Sequence, residues 1–146
     1  MKMNFTGDLV YPSKGCIHID KIKHLFTNTI TIANLEGQII SDKSKVVDKH
    51  KYNLYSDKSV LDMLNETSAK FASFANNHIQ DFGNDLGETI DLLNKEGLGH
   101  FGTKQQPSVT VEKKIKIYGV VANATGGVFG KRNQSTDLIL EHYSNL

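Results

Sequence analysis

The chain has 146 residues, 38% hydrophobic and 23% charged, ordinary proportions for one domain that buries its own core. A formal net charge of +1 excludes general electrostatic attraction to nucleic acid or an anionic membrane surface. One cysteine, Cys16, excludes an internal disulfide, and no apolar run has signal-peptide or transmembrane length, so a cytoplasmic location is expected.

Residues 3–9 read as a first strand that stops at Gly7-Asp8. In 20–26 the apolar residues Ile22, Leu25 and Phe26 recur at helical spacing, with Asp20 as N-cap. Residues 29–35 are β-branched and alternating, a second strand that runs into Asn34-Leu35-Glu36-Gly37. Residues 42–55 are polar and aperiodic, a loop or a weak hairpin, whose lysines are interrupted by Asp42 and Asp48 and read as a solvated face. Residues 57–66 carry Val60, Leu61 and Leu64 behind an Asp or Ser cap, which predicts a helix.

A third, buried strand is expected over 70–75, followed by Asn76-Asn77-His78-Ile79-Gln80-Asp81-Phe82-Gly83. Residues 84–96 then place Leu86, Ile90, Leu92 and Leu93 on a helical stripe that ends at Gly97, a suitable C-cap. A short strand or turn at 99–102 precedes an antiparallel hairpin of 108–111 and 115–121 around Glu112-Lys113-Lys114. A Gly-rich irregular run at 122–133 and a last helix at 136–143 complete the reading. Alternating strands and helices imply a single α/β domain over 1–146 with a mostly parallel sheet flanked by helices.

Parallel strands present their C-terminal ends on one edge of the sheet. Asp8, then Asn34 and Glu36, then Asn77 and His78 each stand at such an end, so these groups are expected to converge. Each alone has a plain structural reading. Gly-Asp is a common turn, Glu36-Gly37 a solvated loop, Asn76 and Asn77 left-handed turn residues, and Asp81 a helix cap. Together, two carboxylates, an amide oxygen and an imidazole form a donor set suited to manganese, iron or zinc. In such a site His78 is the candidate general acid and Asp81 the carboxylate that orients its ring. Cys16 has no histidine partner in a motif, and the Gly126-to-Lys131 run is one residue short of a phosphate-binding loop.

Gly7-Asp8, Asn34-Leu35-Glu36-Gly37 and Ala75-Asn76-Asn77-His78-Ile79-Gln80-Asp81-Phe82-Gly83, in this order, resemble the CapA-type bacterial capsule-synthesis proteins. These are also called poly-γ-glutamate capsule biosynthesis proteins. The resemblance covers about residues 3–123 and rests chiefly on the Asn-Asn-His-x-x-Asp-x-Gly block. That family is similar to calcineurin-like metallophosphatases, with an α/β/β/α sandwich and a site for two divalent metal ions between the sheets. The resemblance implies Asp8, Glu36 and Asn77 as metal ligands, His78 and Asp81 as catalytic residues, and Asn34 as a residue that shapes the metal surroundings. The implied activity is metal-dependent hydrolysis, on or around an anionic polymer or a phosphorylated small-molecule precursor.

Related sites also take histidines from Gly-His-x-His-like motifs in a second half of the fold, and here only His100 and His142 follow His78. Half of a sandwich is therefore expected, completed by a homodimer or by a partner that carries the C-terminal half. Two rival readings remain: a non-catalytic assembly or binding component of a polymer-synthesis system, and a nucleotide-binding α/β domain. The second ranks last because Gly7-Asp8-Leu9-Val10 is no phosphate-binding loop.

Overall fold

A computed structural model of the chain describes residues 1–42, 44, 46 and 53–119. Four strands, β1 (Met3–Leu9), β2 (Ile30–Leu35), β5 (Ala69–Ser73) and β6 (Gly99–Phe101), form one sheet in that order, and every neighbouring pair is parallel. Two shorter pairings accompany it. β3 (Gln38–Ile39) and β4 (Tyr55–Ser56) pair in parallel, and β7 (Ser108–Val111) and β8 (Ile115–Tyr118) form an antiparallel hairpin. The two helices are α1 (Val60–Glu66) and α2 (Gly87–Lys95). This mixed α/β arrangement is that of one half of a metallophosphatase-like sandwich.

The sheet separates two apolar clusters. On one face Ala33, Leu35, Ala69 and Ala72 pack with Val60, Met63 and Leu64 of α1 and Leu93 of α2. On the other, Ile32, Phe71 and Phe101 meet Val109 and Ile117 of the hairpin. A strand buried on both faces reads as a near-continuous apolar run, as 71–75 do, while 29–35 is legible from its β-branched alternation.

The α2 terminus is as expected. Gly97 has φ +70°, its N–H donates to Asn94 O at 3.0 Å, and Leu98 N–H donates to Leu93 O at 2.9 Å. These two bonds satisfy carbonyls left open by the helix end, and the buried Leu93 and Leu98 seal it. The start of α2 comes later than the expected 84. Gln38 Nε2 donates to Gly83 O at 2.7 Å and to Asp85 O at 3.3 Å, which holds this stretch outside the helix.

Other expectations are corrected. In place of a helix over 20–26 capped by Asp20 there is a short 3-10 turn, Lys23–Phe26, with Ile22 in the cap position. Ile22 and Leu25 are exposed, so this segment lacks the buried stripe that sustains an isolated helix. Most of the 42–55 segment, expected as a loop or weak hairpin, lies outside the described residues; it leads into β4, which pairs in parallel with β3. α1 begins at Val60 rather than 57, because Asp57 Oδ1 accepts from the Ser59 N–H and hydroxyl and turns the chain before the helix. The expected run 122–133, the helix 136–143 and the end of the hairpin at 121 lie outside the described residues, as do all four lysines of 43–51. Among the described residues no helix is long and apolar enough to cross a membrane.

Candidate functional site

A β-bulge sets the position of Asp8. Phe5 is paired with Ile32, yet Asp8 is paired with Asn34, so β1 spends one more residue than β2 over this interval. The extra residue in β1 brings Asp8, and not Gly7, opposite Asn34. Asn34 Nδ2 then donates to Asp8 Oδ1 at 2.6 Å, and Glu36 N–H donates to Leu9 O at 3.1 Å just beyond the strand ends. Gly37 follows with φ +91° and lets the chain pass close to the Leu54 carbonyl, where a Cβ would collide.

The segment after β5 is organised by Asn76, which is 5% exposed. Its Nδ2 donates to Leu35 O at 2.9 Å and to Asn34 Oδ1 at 3.2 Å. Its Oδ1 accepts from Ile79 N–H at 2.8 Å and from His78 N–H at 3.0 Å. Neither Asn76 nor Asn77 has a positive φ, so the left-handed turn reading of these residues is excluded. Asp81 does not cap a helix. Its Oδ2 lies 2.8 Å from His78 Nδ1 and also accepts the Leu54 N–H at 2.8 Å. Because a carboxylate only accepts, it is a protonated Nδ1 that His78 presents to Asp81.

The electrostatics tie these pieces together. Burial pushes the Glu36 carboxyl above its ordinary 4.5, the Asp8 carboxylate adds to this, His78 opposes it, and Asp81 adds a smaller contribution in the same direction. Glu36 therefore shares one neighbourhood with the other three groups. Asn77, in contrast, is exposed and has no side-chain hydrogen bond among the described residues. Among the described residues no group of three or more His, Cys, Asp or Glu side chains is placed so that it could hold a metal ion. Any ion at this edge would need amide or backbone oxygens, such as those of Asn34 and Asn77, besides the carboxylates.

Sequence reasoning placed Asn76 in the Asn-Asn-His block, gave it no role beyond a turn, and missed Gln38 and Leu54 altogether. Asn76 carried a usable signal: an amide directly after a buried strand faces the C-terminal edge of the sheet, where α/β proteins place their sites. Gln38 and Leu54 carried none, since both act through partners more than twenty residues away.

A parallel sheet whose strand ends carry an Asp–Asn pair, a half-buried Glu and a His–Asp pair defines an α/β domain of metallophosphatase-like architecture. The family model of bacterial capsule synthesis proteins, PGA_cap, matches residues 17–137, and the chain belongs to that family. The matched span contains Asn34, Glu36 and the whole 76–83 block, while Asp8 precedes it. A search of curated proteins found no match.

Proposed function

We propose that this member of the capsule-synthesis family is a metal-dependent, hydrolase-like domain that acts on an anionic polymer such as poly-γ-glutamate or on its phosphorylated precursor. The observation that carries the reading is the shared neighbourhood of Asp8, Glu36, His78 and Asp81 at one edge of the sheet. The donor chemistry fits a divalent ion: hard carboxylate and amide oxygens with one imidazole suit manganese, iron or zinc. The raised Glu36 pKa supports it too, because a carboxylate desolvated by burial and crowded by Asp8 is relieved by a cation. Asp8, Glu36 and Asn77 would hold the metal. Bound there, it would polarise a phosphoryl or carbonyl oxygen and lower the pKa of a water.

The chain's own residues have separable tasks in this proposal. Asp81 fixes the His78 ring and, as the acceptor at Nδ1, leaves Nε2 facing the reaction: in the imidazolium form, with a proton on each nitrogen, Nε2–H gives its proton to the leaving group and the ring is left neutral. Asn34 holds Asp8 by one oxygen and leaves the other for the ion. The test is titration with manganese or zinc in the presence of a generic phosphodiester and, separately, an amide-linked polyglutamate. Metal-dependent turnover that is lost in Asn77→Ala and His78→Ala supports the proposal; turnover insensitive to both refutes it.

One observation favours a second reading, assembly with a partner. Phe5 is 65% exposed although it pairs in register with buried Ile32 on the hairpin side of the sheet. A non-catalytic binding component would show concentration-dependent association by light scattering, reduced in Phe5→Ser, without metal-dependent turnover.

A further inference from the structure

The side chains of Asp8, Asn34 and Asn76 and the backbone of His78 and Ile79 form one unbroken hydrogen-bonded chain. Its polarity is fixed from both ends. At one end Asp8 is a carboxylate, which only accepts, so Asn34 presents its NH2 there and its oxygen toward Asn76. At the other end the His78 and Ile79 N–H groups only donate, so Asn76 presents its oxygen to them and its NH2 toward Asn34 and Leu35 O. Both amides are thereby locked in one orientation without appeal to any other contact.

We infer that Asn76 is a positioning residue that couples the Asp8 side of the site to the His78 side, so that a change at either end is transmitted through Asn34 and Asn76 to the other. Three features carry this. Asn76 is buried, and an amide with its polar atoms unmatched there is costly, so its two donor and two acceptor contacts act as one constraint. The contacts join three strand ends: Asp8 on β1, Asn34 and Leu35 on β2, and the turn after β5. No other side chain described here bonds both to β2 and to the backbone that bears His78. The consequence for metal affinity rests on the metal-site reading above; the coupling itself does not.

The discriminating variant of the 146-residue chain is Asn76→Asp. It keeps an oxygen for the His78 and Ile79 N–H groups and replaces the NH2 that holds Asn34 and Leu35 by an oxygen; because it also adds a negative charge, Asn34→Ala, which adds none, is measured beside it. In metal-free protein followed by NMR, the expected result is that the Asn34 side-chain NH2 signals and the Asp8 carboxyl carbon move, while the His78 and Ile79 backbone amides stay near their wild-type positions. Zinc titration by calorimetry is expected to show about 10–100-fold weaker binding, the usual effect of losing a residue that supports a ligand. Should Asn76→Asp fail to fold, Asn34→Ala interrupts the same chain at a half-buried position, and the Asn76 NH2 signals are the readout.

Unmoved Asn34 and Asp8 signals in a folded Asn76→Asp protein, or unmoved Asn76 signals in Asn34→Ala, overturn the coupling. A wild-type chain that takes up no zinc counts against the metal-site reading alone, because the NMR comparison is made without metal. A purely structural role for Asn76 would lower the unfolding temperature and leave the Asp8 carboxyl carbon where it is.

Discussion

His78 Nδ1 and Leu54 N–H both use the same atom, Oδ2 of Asp81, each at 2.8 Å. One carboxylate oxygen therefore orients the imidazole and anchors the chain as it returns to the sheet. Asp81→Asn can keep both bonds by placing its amide oxygen at that position, whereas Asp81→Ala loses both. The expected order of metal-dependent phosphodiester turnover is wild type, Asn, Ala, with the Ala variant reduced about 10–100-fold. Imidazole 15N shifts check this independently of turnover. Retention of the Nδ1–H tautomer in Asp81→Ala would show that the carboxylate does not set it.

Glu36 predicts a pH effect. Its folded-state pKa is raised above 4.5, so the native state holds this proton more tightly than the unfolded chain does. The related stability is fully present below pH 4.5 and is lost as pH rises through the folded pKa. In the presence of a chelator, Glu36→Gln should therefore melt higher than wild type at neutral pH, and the gap should close below pH 4.5. A divalent ion favours the carboxylate, so adding manganese should shrink or reverse the advantage of Gln. Parallel melting curves across pH would contradict the assigned burial.

Gly37 joins the Glu36 end of β2 to the Leu54 return. With φ +91° and the Leu54 carbonyl where a Cβ would stand, Gly37→Ala is expected to lower unfolding free energy by about 2 kcal/mol or more. Urea titration measures the loss. Because the collision displaces Leu54, the Leu54 amide signal should shift with it, linking the strain to the Asp81 anchor.

Phe74 is fully buried, and its ring stacks on His100 with centroids 5.2 Å apart. Removing the ring in Phe74→Ala should cost about 3–5 kcal/mol. Burial pushes the His100 imidazole below its ordinary 6.5, so opening this contact should bring its NMR titration midpoint back toward 6.5. The sign for stability follows: the neutral ring supports the fold above pH 6.5, and that support is lost as pH falls through the folded pKa. An unchanged midpoint in a folded Phe74→Leu or Phe74→Ala protein would assign the shift to another neighbour.

The family and the parallel α/β class were legible in the residues because their signals are local. The β-branched alternation of 30–35 and the apolar residues of 71–75 announce strands, and the Asn-Asn-His-x-x-Asp-x-Gly block is contiguous. The helix over 20–26 failed for a physical reason: its apolar residues have the right spacing, but Ile22 and Leu25 meet no core. Spacing reports what a segment could bury, and only the neighbouring elements decide whether it does.

By itself the sequence determined that Asp8, Glu36 and His78 fall at the ends of strands, since Gly, Asp and amide residues interrupt apolar runs at those points. Tertiary structure alone decided how they face one another. The bulge that puts Asp8 opposite Asn34, the parallel β3–β4 pair and the Leu54 bond to Asp81 all depend on partners far along the chain. The same is true of Asn76, whose sequence position fits a turn and whose buried position makes it the link between two halves of the site. A hydrogen bond across forty residues leaves no periodicity to read, because its geometry exists only once the sheet has formed.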